Sequence, residues 1–181
     1  RENWYQLYLS ILLFDDRYEE AVPILEAMVY RFPEKKNYYR QLAALYAELR
    51  REKDSFQIQQ IMHNKGMLEK HDELLRISQL YLYYDIPFKA AVIMEKELED
   101  GRIKDEEKYW EQLANAWLSS REWRKAIPPL QKAAEMSEDG ELFLRLGQTF
   151  MQEEEWENAE NYIKYAIKKG DCVLVPADVE H

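Results

Sequence analysis

The chain has 181 residues, 46% apolar and 33% charged, enough to bury the core of one ordinary domain or of a short repeat array. Its net charge of −10 argues against nucleic acid or an anionic membrane surface as the main partner, because an acidic exterior repels phosphate groups. Its single cysteine, Cys172, excludes an internal disulfide, and no apolar run reaches the roughly 18–20 residues of a membrane-spanning helix.

The chain is predicted to be all-α, because apolar residues recur at helical spacing and glycine and proline number only five and six. One pattern recurs along it, most clearly as W-x2-L-A-x2-W-x5-W-x2-A from Trp110. Its five occurrences, in chain order, are Trp4, Leu7, Tyr8, Ile11, Tyr18 and Ala21; Tyr39, Leu42, Ala43, Tyr46 and a degenerate Ser55; Leu74, Ile77, Ser78, Tyr81, Phe88 and Ala91; Trp110, Leu113, Ala114, Trp117, Trp123 and Ala126; and Phe143, Leu146, Gly147, Phe150, Trp156 and Ala159.

The pattern starts at positions 4, 39, 74, 110 and 143, in steps of 35, 35, 36 and 33 residues. It resembles the tetratricopeptide repeat (TPR), a helix–turn–helix unit of about 34 residues. The resemblance implies an all-α TPR-type solenoid, a right-handed superhelix of about five repeats in a single array over residues 1–170. The repeats are predicted at 1–35, 36–70, 71–106, 107–139 and 140–170, and 171–181 as the start of a further, truncated repeat or a tail.

Each repeat is expected to pack its first helix (A) against its second (B) and against the next A helix. A small residue then allows close approach, and a large residue fills the space beside it. On this reasoning Trp110, Trp117 and Trp123 are core residues, and truncating such a residue to alanine costs about 3–5 kcal/mol.

The turns between A and B helices are predicted at Asp15-Asp16, Asp85-Ile86-Pro87 and Ser119-Ser120, where side chains are expected to accept hydrogen bonds from free backbone N–H groups. Gly66, Gly101, Gly140 and Gly170 suit a left-handed residue at the end of a unit. Pro23 and the pair Pro128-Pro129 fall inside B helices, so we predict a kink or a locally widened turn there.

The sequence predicts no catalytic, cofactor or metal site, and we expect a protein that is not an enzyme. His63, His71 and His181 have no second ligand at metal-binding spacing. Cys172 has no evident base to lower its pKa, and no glycine-rich loop could hold a phosphate.

The inward side of stacked A helices is where such scaffolds usually bind partners. Its apolar and amide side chains favour a peptide or protein partner in a concave groove. The carboxylate clamp of Lys, Asn and Arg found in chaperone-binding members of the family is absent. The predicted groove residues are Tyr5, Leu9, Arg40, Ala44, Leu75, Gln79, Leu82, Tyr83, Glu111, Asn115, Leu118, Leu144, Gln148 and Met151, with Leu12 and Ala47 beside them.

A narrower resemblance is to gammaproteobacterial TPR proteins encoded beside ExbB, ExbD and TonB-type energy-transduction genes. It lies in the segments ENWYQLYLSILLFDDRYEEAVPILEAMVYRFP, YYRQLAALYAEL, QLYLYYDIPFKAAVIMEKELEDG and LANAWLSSREWRKAIPPLQKAAEMSEDGELFLRLGQ. It implies a periplasmic or envelope-associated scaffold, with a cytoplasmic protein as the alternative. A regulatory subunit of an enzyme complex and a small-ligand receptor are the other functional readings.

The two ends of the array are expected to expose packing surfaces that no neighbouring repeat covers. The chain begins directly in a repeat, and Pro176-Ala177-Asp178 suggests a further A helix that stops. We therefore expect end-to-end self-association, and no direct insertion into a membrane.

Overall fold

A computed structural model describes residues 2–137 and 140–170 of the chain, and within them the secondary structure is entirely helical. The chain divides into two compact units, Arg1–Glu69 and Lys70–His181, close to the predicted boundary between the second and third repeats. The helices are α1 (Glu2–Phe14), α2 (Tyr18–Arg31), α3 (Lys36–Glu48), α4 (Glu52–Asn64), α5 (His71–Tyr83), α6 (Pro87–Glu99), α7 (Glu107–Ser119), α8 (Trp123–Met136), α9 (Glu141–Gln152) and α10 (Trp156–Gly170).

Unit 1 comprises α1 to α4, and each of its helices packs on the next along the chain. The odd-numbered helices are the predicted A helices and the even-numbered ones the B helices. Apolar side chains from α1, α2 and α3 form one core: Leu9, Leu12, Ala21, Val22, Leu25, Met28, Tyr38, Leu42, Leu45 and Tyr46.

Unit 2 comprises α5 to α10, which likewise pack in sequence. Its largest fully buried side chains are Leu74, Ile77, Met94, Ile103, Leu113, Trp117, Leu130 and Leu146. Five of these eight, Leu74, Ile77, Leu113, Trp117 and Leu146, are residues of the repeat pattern, which confirms paired A and B helices as the packing unit.

The five A helices end in the same backbone motif, with a non-glycine residue at φ between 55° and 60°. After α7, the Arg121 N–H bonds to the Leu118 carbonyl (2.9 Å) and the Glu122 N–H to the Trp117 carbonyl (3.0 Å), which is a Schellman cap. The equivalent residues are Asp16, Arg50, Asp85 and Glu154, spaced 33 to 36 residues apart like the sequence pattern. The turns lie where predicted, but the capping is different: α2, α4, α6 and α8 have no side-chain hydrogen bond at their N-caps.

The predictions for glycine are confirmed at two positions and wrong at a third, and the prediction for the prolines is wrong in part. Gly66 and Gly101 adopt positive φ after B helices, as predicted. Gly140 does not; it precedes α9 with φ −90°, so that prediction is wrong. α2 and α8 continue as α-helix through Pro23 and Pro128-Pro129, so the predicted widened turn is wrong, and the alternative of a kink stays a prediction. The carbonyls that lose an amide partner belong to the residues four positions before each proline, Glu19, Arg124 and Lys125, and all three residues are exposed.

Helix α1 departs from the predicted register. Trp4, Leu7, Tyr8 and Ile11, predicted to pack inside, are exposed. Leu9 and Leu12, predicted to face the groove, are buried against α2 and α3 instead. 

Polar contacts explain this orientation of α1. Lys35 Nζ donates to the Glu2 carboxylate at 2.5 and 2.7 Å, and Gln6 Nε2 donates to the Tyr38 hydroxyl at 2.7 Å. The Tyr38 hydroxyl in turn donates to Glu2. The hydrogen bonds from Lys35 and Tyr38 lower the pKa of Glu2. These contacts fix the side of α1 that carries Glu2 and Gln6 against α3.

The tryptophans also separate into two groups. Trp117 is buried between α6 and α8, with the Phe88 ring at 5.3 Å and Lys125 Nζ at 4.8 Å from its ring centre. Trp110 is buried, and its Nε1 donates to Asp105 at 2.6 Å. Trp123 is only half-buried, so its assignment to the core is wrong, and Trp156 is exposed.

Candidate protein-binding surface

Thirteen of the fourteen predicted groove residues are at least partly exposed, and Leu9 is the exception. Their role in binding remains a prediction. Ten of them lie on the A helices of unit 2 and define what we call the A face of unit 2: Leu75, Gln79, Leu82, Tyr83, Glu111, Asn115, Leu118, Leu144, Gln148 and Met151.

Arg145 connects two helices of the A face. Its guanidinium donates to Glu111 at 2.7 Å and also to Asn115, so a half-buried residue of α9 bridges to α7. Sequence reasoning placed Glu111 and Asn115 on this surface but missed Arg145. The available signal was spacing, because Arg145 follows Glu111 by 34 residues, one repeat length.

An open cleft of about 210 Å³ lies beside this bridge. Its walls combine the apolar Leu118 and Trp123 with the amides of Gln148 and Gln152. Arg145 and Thr149 complete the lining. The Thr149 hydroxyl already donates to the Arg145 carbonyl, at 2.8 Å. The amides can hydrogen-bond a peptide backbone while the apolar walls hold a side chain.

The α5 part of the A face is more apolar. Tyr83 is 72% exposed and meets Tyr84 edge-on at 5.1 Å. Leu82 is also exposed, and Gln79 supplies an amide one turn away. An exposed tyrosine with an apolar neighbour is the kind of residue that contributes strongly to protein interfaces, because it buries a large area with few rotatable bonds.

A hydrogen-bonded histidine joins α5 to α7. His71 Nδ1 accepts the Lys104 backbone N–H at 3.3 Å, so Nε2 carries the proton and donates to the Tyr109 hydroxyl at 3.0 Å. Both ring nitrogens are thus used in packing these helices. The residues the structure describes contain no group of three or more metal-ligating side chains.

Unit 1 contributes less of the predicted surface. Arg40 and Ala44 are exposed on α3 and Tyr5 is half-buried on α1. Tyr5 also lines an open cleft of about 430 Å³ with Trp4, Tyr8 and Arg31, and the Arg31 guanidinium carbon lies 5.8 Å from the Tyr5 ring centre.

Among the described residues, no helix is both long and apolar enough to cross a bilayer.

No family model and no curated protein matches this chain. Solved TPR structures are similar to it over most of its length. A MamA structure (AMB-1) has a TM-score of 0.58 at 15% identity, covering 96% of this chain and 94% of MamA. YrrB, a TPR protein with an unusual peptide-binding site, has a TM-score of 0.55 at 14% identity over 91% and 84%. MamA from Desulfovibrio magneticus RS-1 has a TM-score of 0.51 at 14% identity over 92% and 93%. The likeness shows that this chain has the all-α fold of TPR proteins.

Proposed function

We propose that the chain is a non-enzymatic scaffold that binds a peptide or protein segment on the A face of unit 2. The observation that carries the proposal is the Arg145 bridge beside an apolar, amide-lined cleft. It holds α7 and α9 in one arrangement before a partner arrives, which lowers the entropic cost of binding. The fold class supports the same role, since TPR scaffolds usually bind through their A helices.

Charge indicates what kind of segment this face would accept. Residues 70–181 contain 15 Lys and Arg against 24 Asp and Glu, whereas residues 1–69 contain 10 against 11. Almost all of the net negative charge therefore lies on unit 2. An apolar segment with basic flanking residues would be attracted to it, and the attraction should weaken as salt is added.

Partner capture with exposed-residue variants tests this function. Tyr83→Ala and Met151→Ala should each reduce recovery of the partner, because both side chains are exposed on the A face. Tyr30→Ala is the matched control, since Tyr30 is an exposed aromatic of α2, off this face. Partner recovery that stays at the wild-type level in both variants would contradict the proposal.

We also propose an envelope setting, in which the partner belongs to a TonB-type energy-transduction system. The support is the resemblance of the four segments quoted above to TPR proteins encoded beside those genes. Fractionation of cells that express the full-length protein tests it, together with co-purification of TonB, ExbB or ExbD. Recovery in the cytosolic fraction without these proteins would contradict the envelope setting and leave the binding surface to be judged separately.

A further inference from the structure

Helix α1 is apolar on nearly every side yet packed on only part of its circumference. Its thirteen residues include one charged side chain, Glu2. Leu9 and Leu12 face the core of unit 1, while Trp4, Leu7, Tyr8, Ile11 and Phe14 are exposed, Trp4 at 79% and Phe14 at 89%. A helix that is hydrophobic all round is normally buried. We call these five exposed residues the α1 stripe.

The stripe has the spacing of a coiled-coil seam. Trp4, Leu7, Ile11 and Phe14 follow one another at intervals of three, four and three residues, which are a, d, a and d positions of two heptads. The fractional exposures correspond to on the order of 600 Å² of apolar surface, at or above the largest patch of an ordinary monomer. A standard interface needs about 800 Å² per partner, which the stripe and the adjoining cleft together approach.

We propose that a second copy of this chain covers the stripe, through an antiparallel pair of α1 helices related by a twofold axis. In antiparallel seams an a position meets a d position, so Leu7 would face Ile11 of the other copy and Trp4 would face Phe14. The same register places Tyr8 opposite Ser10, a large residue against a small one. The 430 Å³ cleft lined by Trp4, Tyr5, Tyr8 and Arg31 would receive the Phe14 ring.

Charge favours this register as well. Asp15 directly follows Phe14 and is exposed, and Arg31 lines the cleft that Phe14 would enter. Each copy would therefore bring its Asp15 to the other's Arg31, giving two equivalent ion pairs across the twofold axis. A membrane surface is a poorer occupant, because interfacial helices carry Lys and Arg on their polar side and α1 carries neither.

Sedimentation velocity of the 181-residue chain between about 1 and 100 µM tests the proposal, since interfaces below the standard size belong to weak, transient complexes. The expected result is a concentration-dependent species of twice the protomer mass. Ile11→Glu should abolish it while the circular dichroism stays unchanged, because Ile11 is already exposed in the protomer. Tyr30→Glu, which places the same charge on an exposed aromatic of α2, should leave the dimer intact.

A charge exchange tests the register. Arg31→Asp or Asp15→Arg alone should weaken dimerisation about tenfold, and the two together should restore it, because the exchange re-forms both ion pairs.

A double variant as weak as the single ones would overturn the proposal, as would a wild-type monomer at 100 µM or an Ile11→Glu variant that still dimerises. Masses that grow beyond twice the protomer would assign the contact to end-to-end stacking. A monomer that co-sediments with phosphatidylcholine vesicles would assign the stripe to a membrane surface.

Discussion

Gly147 of α9 lies so close to Ile163 of α10 that a Cβ at position 147 would be 2.6 Å from Ile163 Cγ1. The same Cβ would be 3.1 Å from the Ala159 carbonyl oxygen. We expect Gly147→Ala to lower the free energy of unfolding by about 1–3 kcal/mol, because overpacking outweighs the gain in helix propensity. Urea unfolding measures it.

A double-mutant cycle isolates this contact. Ile163→Ala removes the Cγ1 atom that the new methyl group would meet, so Gly147→Ala should cost less in that background than in the wild type. Gln148→Ala, an exposed change on the same helix, is the control and should be nearly neutral. A Gly147→Ala protein as stable as wild type would show that α9 and α10 do not approach this closely.

A second prediction concerns the left-handed residue that ends α7. Arg121 has φ 59°, a conformation that disfavours a side chain and suits glycine. Arg121→Gly should therefore raise the free energy of unfolding by about 0.5–1 kcal/mol, measured by urea unfolding. Ser119→Gly, two residues earlier within the helix, should lower it. A destabilised Arg121→Gly would mean that the arginine side chain contributes more than its backbone conformation costs.

A third prediction separates the tryptophans. Trp117 is buried with its indole N–H unpaired among the described residues, whereas Trp123 is half-buried. Trp117→Ala should cost about 3–5 kcal/mol and Trp123→Ala about 1 kcal/mol, because only the first leaves a buried cavity. Trp117→Phe should recover much of the loss, since phenylalanine fills most of the space without an unpaired donor. Equal costs for the two alanine variants in thermal unfolding would contradict the distinction.

The sequence predicted the A and B helices well because a packing pattern repeated four or five times averages out local exceptions. Tyr39, Leu74, Trp110 and Phe143 all open buried A-helix faces, as their spacing indicated. The pattern failed at Trp4, because α1 is oriented by polar contacts of Glu2 and Gln6 with a tyrosine 32 to 36 residues away. When a helix has two apolar faces, hydrophobic periodicity cannot show which of them packs against the core.

Capping and the candidate surface show a different limit. The Schellman caps depend on backbone conformations that Asp16 and Arg121 adopt without the glycine that would signal them. On the A face, the exposed residues could be predicted, because they are the A-helix positions that the repeat pattern does not assign to the core. Repeat spacing could have placed Arg145 near Glu111, but its hydrogen bonds could not be predicted, because they depend on how two helices from different repeats align. Long-range side-chain pairs follow from packing geometry rather than from local pattern.

The last prediction concerns alkaline pH. Burial, together with the hydrogen bond that its hydroxyl donates to Glu26, raises the pKa of Tyr46 to about 12. A tyrosine in the unfolded chain titrates near 10, so the unfolded state loses this proton first. The raised pKa therefore makes its full contribution to the free energy of unfolding below about pH 10. This contribution is lost as the pH rises towards 12, by on the order of 1 kcal/mol per pH unit.

Tyr46→Phe removes this titration and should flatten the fall in stability between pH 10 and 11, while costing about 1 kcal/mol at pH 8 through the lost hydrogen bond. Tyr30→Phe, at an exposed position, should follow the wild-type pH profile. Urea unfolding at pH 8, 9, 10 and 11 measures both variants. If Tyr46→Phe loses stability with pH as steeply as wild type, the hydroxyl of Tyr46 ionises as readily in the folded chain as in the unfolded one, and its contact with Glu26 does not hold the proton.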